Sequence, residues 1–142
     1  MRIVLDTNVL VSALISPGRL PDQLLQHWEA GDFTLVTSAA QLDELERVFG
    51  YEKLQRFIRP EHATQLTSIL RRLADFAVEL PVIKASTDPS DNVILATAIA
   101  GNASHLVTGD RADLLGLKKV DGVAIISVRE AVALLSQGAG HD

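Results

Sequence analysis

The sequence predicts an α/β fold, a doubly wound, mainly parallel sheet of four or five strands flanked by helices. Three observations carry that expectation. Short aliphatic runs such as Ile3-Val4-Leu5 lack the polar alternation of a half-wet sheet and read as strands buried on both faces. Stretches with apolar residues at three- and four-residue spacing, such as Leu66, Ile69, Leu70 and Leu73, read as helices with one buried stripe. The two kinds of segment alternate along the chain, which implies parallel pairing through right-handed crossovers.

Each element follows from local chemistry. The first strand stops abruptly at Asp6-Thr7-Asn8, and a helix over 9–15 follows, broken by Ser16-Pro17-Gly18. A second helix covers 21–30 and ends before Gly31, and 33–37 is the second strand. Ser38 and Gln41 stand at capping-box spacing and open a helix that closes at Gly50. A brief helical piece over 51–58 precedes a longer helix over 60–76, and 77–83 reads as strand or extended chain. Asp88 is placed as the N-cap and Pro89 as the first residue of a helix, apolar nearly all round, that runs to Ala100. Residues 105–108 and 123–126 are the last two strands. Ser127 and Glu130 form another capping box into a final helix to about Ser136. The expectation is a single domain over 1–137 and a flexible tail over 138–142.

Composition bounds the function. The chain has 142 residues, enough for one domain with a real core, and its 47% hydrophobic content argues against disorder. Mean hydropathy is +0.20. The absence of cysteine excludes disulfides, thiolate nucleophiles and Cys-ligated zinc, and suits a reducing compartment. Asp6 and Asn8 interrupt the N-terminal apolar run too early for a signal peptide, and no apolar stretch approaches the roughly 20 residues of a membrane span. A soluble cytoplasmic protein is expected. Net charge is −5, but residues 47–72 hold six cations (Arg47, Lys53, Arg56, Arg59, Arg71, Arg72) against two anions (Glu52, Glu61). That window is therefore +4 and the remainder −9. Such a run is most often a solvated face, and it is also what a phosphate backbone would meet.

The acids fall at telling positions. Asp6 ends a buried strand, where open α/β sheets bind ligands, although a helix-capping Asp is the commoner case. Asp88 and Asp91 both sit at the mouth of the helix that Pro89 opens; one of them suffices as a cap, and Asp91 reaching back in a capping box is the bland alternative. The helix dipole there favours the ionised carboxylate. Thr108-Gly109-Asp110-Arg111-Ala112-Asp113 again follows a buried strand, with Gly109 expected to let the chain turn so that Asp110 emerges on the same sheet edge as Asp6. Asp43 lies opposite the stripe of Leu42, Leu45, Val48 and Phe49, whereas Glu44 and Glu46 border it on either side. Periodicity does not choose between those two.

Other chemistries lack their signatures. There is no phosphate-binding G-x-x-x-x-G-K-[ST] loop, nucleophile elbow or dinucleotide fingerprint. His27, His62, His105 and His141 show no metal-ligand spacing, and an aspartyl-phosphate enzyme would carry a second Asp where Asn8 stands.

Leu5-Asp6-Thr7-Asn8, Glu44-Leu45, Asp88-Pro89-Ser90-Asp91-Asn92 and Val107-Thr108-Gly109-Asp110, in that order, resemble a PIN-domain ribonuclease. The resemblance extends from Met1 to about Leu134 and is greatest to single-domain toxins of toxin–antitoxin systems. It implies catalytic and metal-binding roles for Asp6, Glu44, Asp91 and Asp110, selecting Glu44 over Glu46. It also implies Asp113 as a further acid and Asn8, Thr108 and Asp88 as polar supporters. Ala112 lengthens the Asp110 to Asp113 spacing by one residue relative to many members. Clustered carboxylates repel unless a divalent cation offsets them, and oxygen ligands favour Mg²⁺ or Mn²⁺. The implied reaction is hydrolysis of RNA by water, leaving 5′-phosphate and 3′-hydroxyl ends. Arg47, Lys53, Arg56 and Arg59 would hold RNA phosphates. Implied partners are RNA, an antitoxin protein and a second copy in a homodimer; no membrane is involved. The alternative is a non-catalytic PIN-like module that binds RNA or protein.

Overall fold

The computed structural model describes residues 1–109 and 112–139. Along the chain come β1 (Arg2–Leu5), α1 (Thr7–Ile15), α2 (Leu20–Glu29), β2 (Thr34–Ser38), α3 (Ala39–Phe49), α4 (Glu52–Gln55) and α5 (Pro60–Leu73). They are followed by β3 (Asp75–Ala77), α6 (Pro89–Ala100), β4 (His105–Thr108), α7 (Ala112–Leu115), β5 (Lys119–Val120), β6 (Val123–Ser127) and α8 (Val128–Ala139). The strands form one six-stranded sheet ordered β3-β2-β1-β4-β6-β5, parallel throughout except where β5 meets β6. The chain lays down β1, β2 and β3 toward one edge, then returns past β1 to place β4 on its other side. That reversal puts a crevice beyond the carboxyl ends of β1 and β4.

Helices cover both faces, which explains strands without polar alternation. Ile3 and Leu5 of β1 pack into the layer built with α1, α2, α3, α5 and α8, while Val4 packs into the opposite layer with α6 and α7. On β4 the same pleat sends Val107 to the first layer and Leu106 to the second. At the end of α6 the chain approaches the sheet so closely that a Cβ on Gly101 would overlap the Val36 side chain. No helix among the described residues is long and apolar enough to cross a membrane.

Several boundaries differ from the sequence expectation. The helix expected to reach residue 76 ends at Leu73, and Ala74 takes extended angles (φ −74°, ψ 152°). Asp75–Ala77 then pair with Val36–Ser38, so the third strand lies earlier than 77–83. It stops at Ala77 because its partner β2 ends opposite it at Ser38 and turns into α3. The sixth strand, β5, comes from an Asp-Gly hairpin: Val120 faces Val123, and Asp121 (φ 46°) and Gly122 (φ 85°) both occupy the left-handed region between them. Positive φ at both central residues is what tight two-residue hairpins demand, and Asp-Gly is their common sequence. The final helix continues through Ala139, beyond Ser136; of the expected tail, residues 140–142 lie outside the described residues.

Candidate functional site

Asp6 leaves β1 with its backbone shared between sheet and helix. Its N–H donates to the Val107 carbonyl at 2.8 Å, continuing the ladder to β4, and its own carbonyl accepts from Val9 and Leu10 at 2.9 and 3.3 Å, starting α1. The side chain does not cap that helix, so the common capping reading fails for the carboxylate. Instead Oδ2 accepts a 2.8 Å hydrogen bond from Thr108 Oγ1 at the end of β4, and both residues are buried. Parallel pairing of Leu5 with Val107 sets those two strand ends side by side. Next to Asp6, the buried Thr7 hydroxyl has no hydrogen-bond partner among the described residues. Asn8 is exposed and, with Thr108 and Gly109, lines an opening of about 580 Å³. The chain bends at Gly109 without entering the left-handed region, and Asp110, expected to emerge from that turn, lies outside the described residues.

Asp91 reaches the site on α6. Asp88 caps this helix as expected, its Oδ1 accepting from the Ser90 N–H at 2.9 Å. The Asp88 N–H donates to Ser86 Oγ at 3.2 Å. Asp91 is 0% exposed, and its Oδ2 accepts from the Ser86 hydroxyl at 3.1 Å. Asn92 fixes that serine from both sides: Nδ2 donates to the Ser86 carbonyl at 2.8 Å and Oδ1 accepts from the Ser86 N–H at 2.9 Å. A carboxylate is thus buried in the first turn of α6.

The helix α3 separates the two glutamates that periodicity could not. Glu46 is exposed and ion-paired with Arg71 of α5. Glu44 is half-buried and, with Asp43 and Arg47, lines a cleft of about 400 Å³ whose other wall is Pro89, Ser90 and Val93 of α6. Glu44 therefore faces the helix that carries Asp91. Asp113, on α7, is exposed, and Asp110 lies outside the described residues. Among the described residues, no group of three or more His, Cys, Asp or Glu side chains is placed to hold one metal ion. The donor chemistry nonetheless fits a hard divalent cation: buried carboxylates, an orphaned buried hydroxyl on Thr7, and only oxygen donors.

Arg47, Lys53, Arg56 and Arg59 are all exposed. Lys53 and Arg56 share a surface hollow with Glu52 and the 65% exposed Phe57, and the Lys53 ammonium stands 5.9 Å from the Tyr51 ring centre. Sequence reasoning overlooked the polar side chains that hold the acids: Ser86 and Asn92 beside Asp91, and Gln41, whose buried amide donates to the Leu5 carbonyl at 2.6 Å. Gln41 had a visible signal, the capping-box spacing from Ser38. Ser38 Oγ does accept from the Gln41 N–H at 3.2 Å, but the glutamine side chain turns away from the cap toward β1.

A model of the PIN domain matches residues 2–112. An uncharacterized protein of Methanocaldococcus jannaschii is 29% identical over 124 residues, spanning 83% of this chain and 76% of that protein. PIN domains are typically nucleases and generally use divalent metal ions. The doubly wound sheet, the acid-bearing strand and helix ends and the match over most of the chain lead to one conclusion: this chain belongs to the PIN-domain family.

Proposed function

We propose that the protein is a divalent-metal-dependent endoribonuclease that hydrolyses RNA phosphodiester bonds. The observation that carries this reading is the pair of buried carboxylates, Asp6 at the sheet's reversal point and Asp91 in the first turn of α6, each accepting a hydrogen bond from a hydroxyl. A buried charge persists when it is paired or coordinates a metal. Asp6, Glu44, Asp91 and Asp110 are the residues assigned to hold Mg²⁺ or Mn²⁺, with Asp113 as a further acid and Asn8, Thr108 and Asp88 in support. Such an ion, when bound, acidifies water and stabilises charge on the phosphate oxygens. The protein's own part is to orient the carboxylates, Asp6 through Thr108 and Asp91 through Ser86. Because water is the nucleophile, the products carry 5′-phosphate and 3′-hydroxyl ends.

Arg47 at the cleft, with Lys53, Arg56 and Arg59 beyond it, supplies cations for the RNA backbone, and the exposed Phe57 and Tyr51 offer ring faces beside them. The order of the motifs further supports a toxin of a toxin–antitoxin pair, and the corresponding proposal is a cytoplasmic homodimer restrained by an antitoxin protein.

The test is incubation of the purified chain with end-labelled RNA in Mg²⁺, Mn²⁺ or EDTA. Cleavage with metal, none with EDTA, and loss of at least ~100-fold in Asp91→Asn are expected. RNA affinity should fall steeply with salt, and Lys53→Ala or Arg56→Ala should each lower the salt slope by about one. A second reading is a PIN-like module that binds RNA or protein without cutting it; the lack of a three-acid group among the described residues favours it. Metal-independent RNA binding without cleavage would select that reading.

A further inference from the structure

Asp6, Glu44 and Asp91 are carried by the end of β1, by α3 and by the start of α6, and one buried polar chain joins these three elements. Gln41 is 1% exposed and lies one helical turn before Glu44 on α3. Its Nε2 donates to the Leu5 carbonyl at 2.6 Å, one residue before Asp6. The ladder between β1 and β2 ends at Val4 with Val36, so the glutamine amide takes over where that ladder ends and anchors the strand end that leads into Asp6. On its other side, Gln41 Oε1 accepts from Thr37 Oγ1 at 2.7 Å, fixing which way the amide points.

The chain continues to α6. Thr97 Oγ1 donates to the Val93 carbonyl at 2.9 Å, which makes Ser38 Oγ the donor in its 2.8 Å bond to Thr97. Ser38 Oγ in turn accepts from the Gln41 N–H at 3.2 Å. Thr97 lies six residues after Asp91 on the same helix. Each hydroxyl proton of this relay has an acceptor and the Gln41 amide is bonded through both its nitrogen and its oxygen; buried polar groups bonded in series fix one another more tightly than separate bonds would.

We propose that Gln41 is a positioning residue that, through Leu5 on one side and Ser38 and Thr97 on the other, fixes the ends of β1, α3 and α6, and with them Asp6, Glu44 and Asp91, relative to one another for binding a divalent ion. This rests on the metal-site reading above. A helix cap alone would need only the backbone bond to Ser38; the side chain of Gln41 is spent on β1 instead. Outer groups that orient metal ligands commonly alter affinity by 10- to 100-fold.

The experiment is titration of the full chain with Mn²⁺ alone, reading free Mn²⁺ by electron paramagnetic resonance, with folding checked by circular dichroism. Variants are Gln41→Leu, Gln41→Glu, Thr97→Val and, as reference, Thr67→Val. Thr67 is buried on α5 and donates to the Thr64 carbonyl at 3.0 Å, outside the relay, so its loss is merely structural. Gln41→Glu keeps the acceptor for Thr37 and removes the donor to Leu5. The expected result is an Mn²⁺ Kd raised tenfold or more in the folded Gln41 variants and in Thr97→Val, and unchanged in Thr67→Val. If Gln41→Leu does not fold, Gln41→Glu and Thr97→Val decide on the same criterion. A wild-type Kd in folded relay variants overturns the positioning role while leaving the metal site standing. Absence of Mn²⁺ binding by the wild type overturns the metal-site reading itself, and this inference with it.

Discussion

At the scale of single residues, the side chain of Asp6 is turned away from capping the helix it precedes. Its backbone carbonyl starts α1, while the carboxylate is turned to the Thr108 hydroxyl. Asparagine can still accept that hydrogen bond, and it removes one of several mutually repelling charges. Asp6→Asn should therefore leave the metal-free thermal midpoint unchanged or higher while reducing RNA cleavage by at least ~100-fold. A large loss of metal-free stability would return Asp6 to a structural role. A second residue-scale prediction concerns pH. Burial pushes the His105 imidazole below its ordinary pKa of 6.5, because desolvation disfavours the charged ring. The folded state then binds fewer protons than the unfolded chain, so this residue's contribution is fully present above pH 6.5 and is lost as pH falls below it. His105→Gln should flatten the decline of thermal midpoint between about pH 7 and pH 5. An unchanged decline would show that other groups govern it.

At the scale of elements, the sheet's register brings distant motifs together. Pairing of Leu5 with Val107 sets Asp6 beside Thr108, and the close seating of α6 against β2 aims the Asp91 end of that helix at the cleft with α3. Gly101 permits that seating. Gly101→Ala should cost about 1–3 kcal/mol in denaturant unfolding, since Val36 or the helix must move to admit the methyl group. A neutral result would show that α6 can lift away from the sheet freely.

The strands and most helices were legible because doubly covered strands and amphipathic helices write their burial into hydrophobic spacing. The late start assigned to the third strand was not, since its length is set by where its neighbour β2 turns into α3, a tertiary fact. The β5 hairpin was legible in Asp121-Gly122 and was overlooked because strand reading relied on apolar runs and Lys119–Val120 is too short to make one. For the acids, spacing marked the strand and helix ends, but the Glu46 ion pair with Arg71 and the place of Glu44 in the cleft against α6, both tertiary facts, separate Glu46 from Glu44. The holders Ser86, Asn92 and Gln41 carry no periodic signature, because their partners are backbone atoms and side chains of folded loops and neighbouring elements.

At the scale of the whole molecule, the account joins a parallel sheet with a reversal beside β1, buried carboxylates at that reversal, and a basic window on an otherwise acidic chain. Its central claim is that the buried acids bind a divalent ion. The direct measurement is thermal unfolding of wild type and Asp91→Asn in EDTA, Mg²⁺ and Mn²⁺. An ion that binds only the folded state adds RT ln(1 + [L]/Kd), about 2.7 kcal/mol at a hundredfold excess over Kd. The account predicts an upward shift of the wild-type midpoint with Mn²⁺ that grows with concentration and is absent or much reduced in Asp91→Asn. Equal shifts in both proteins, or none in either up to tens of millimolar metal, would contradict it.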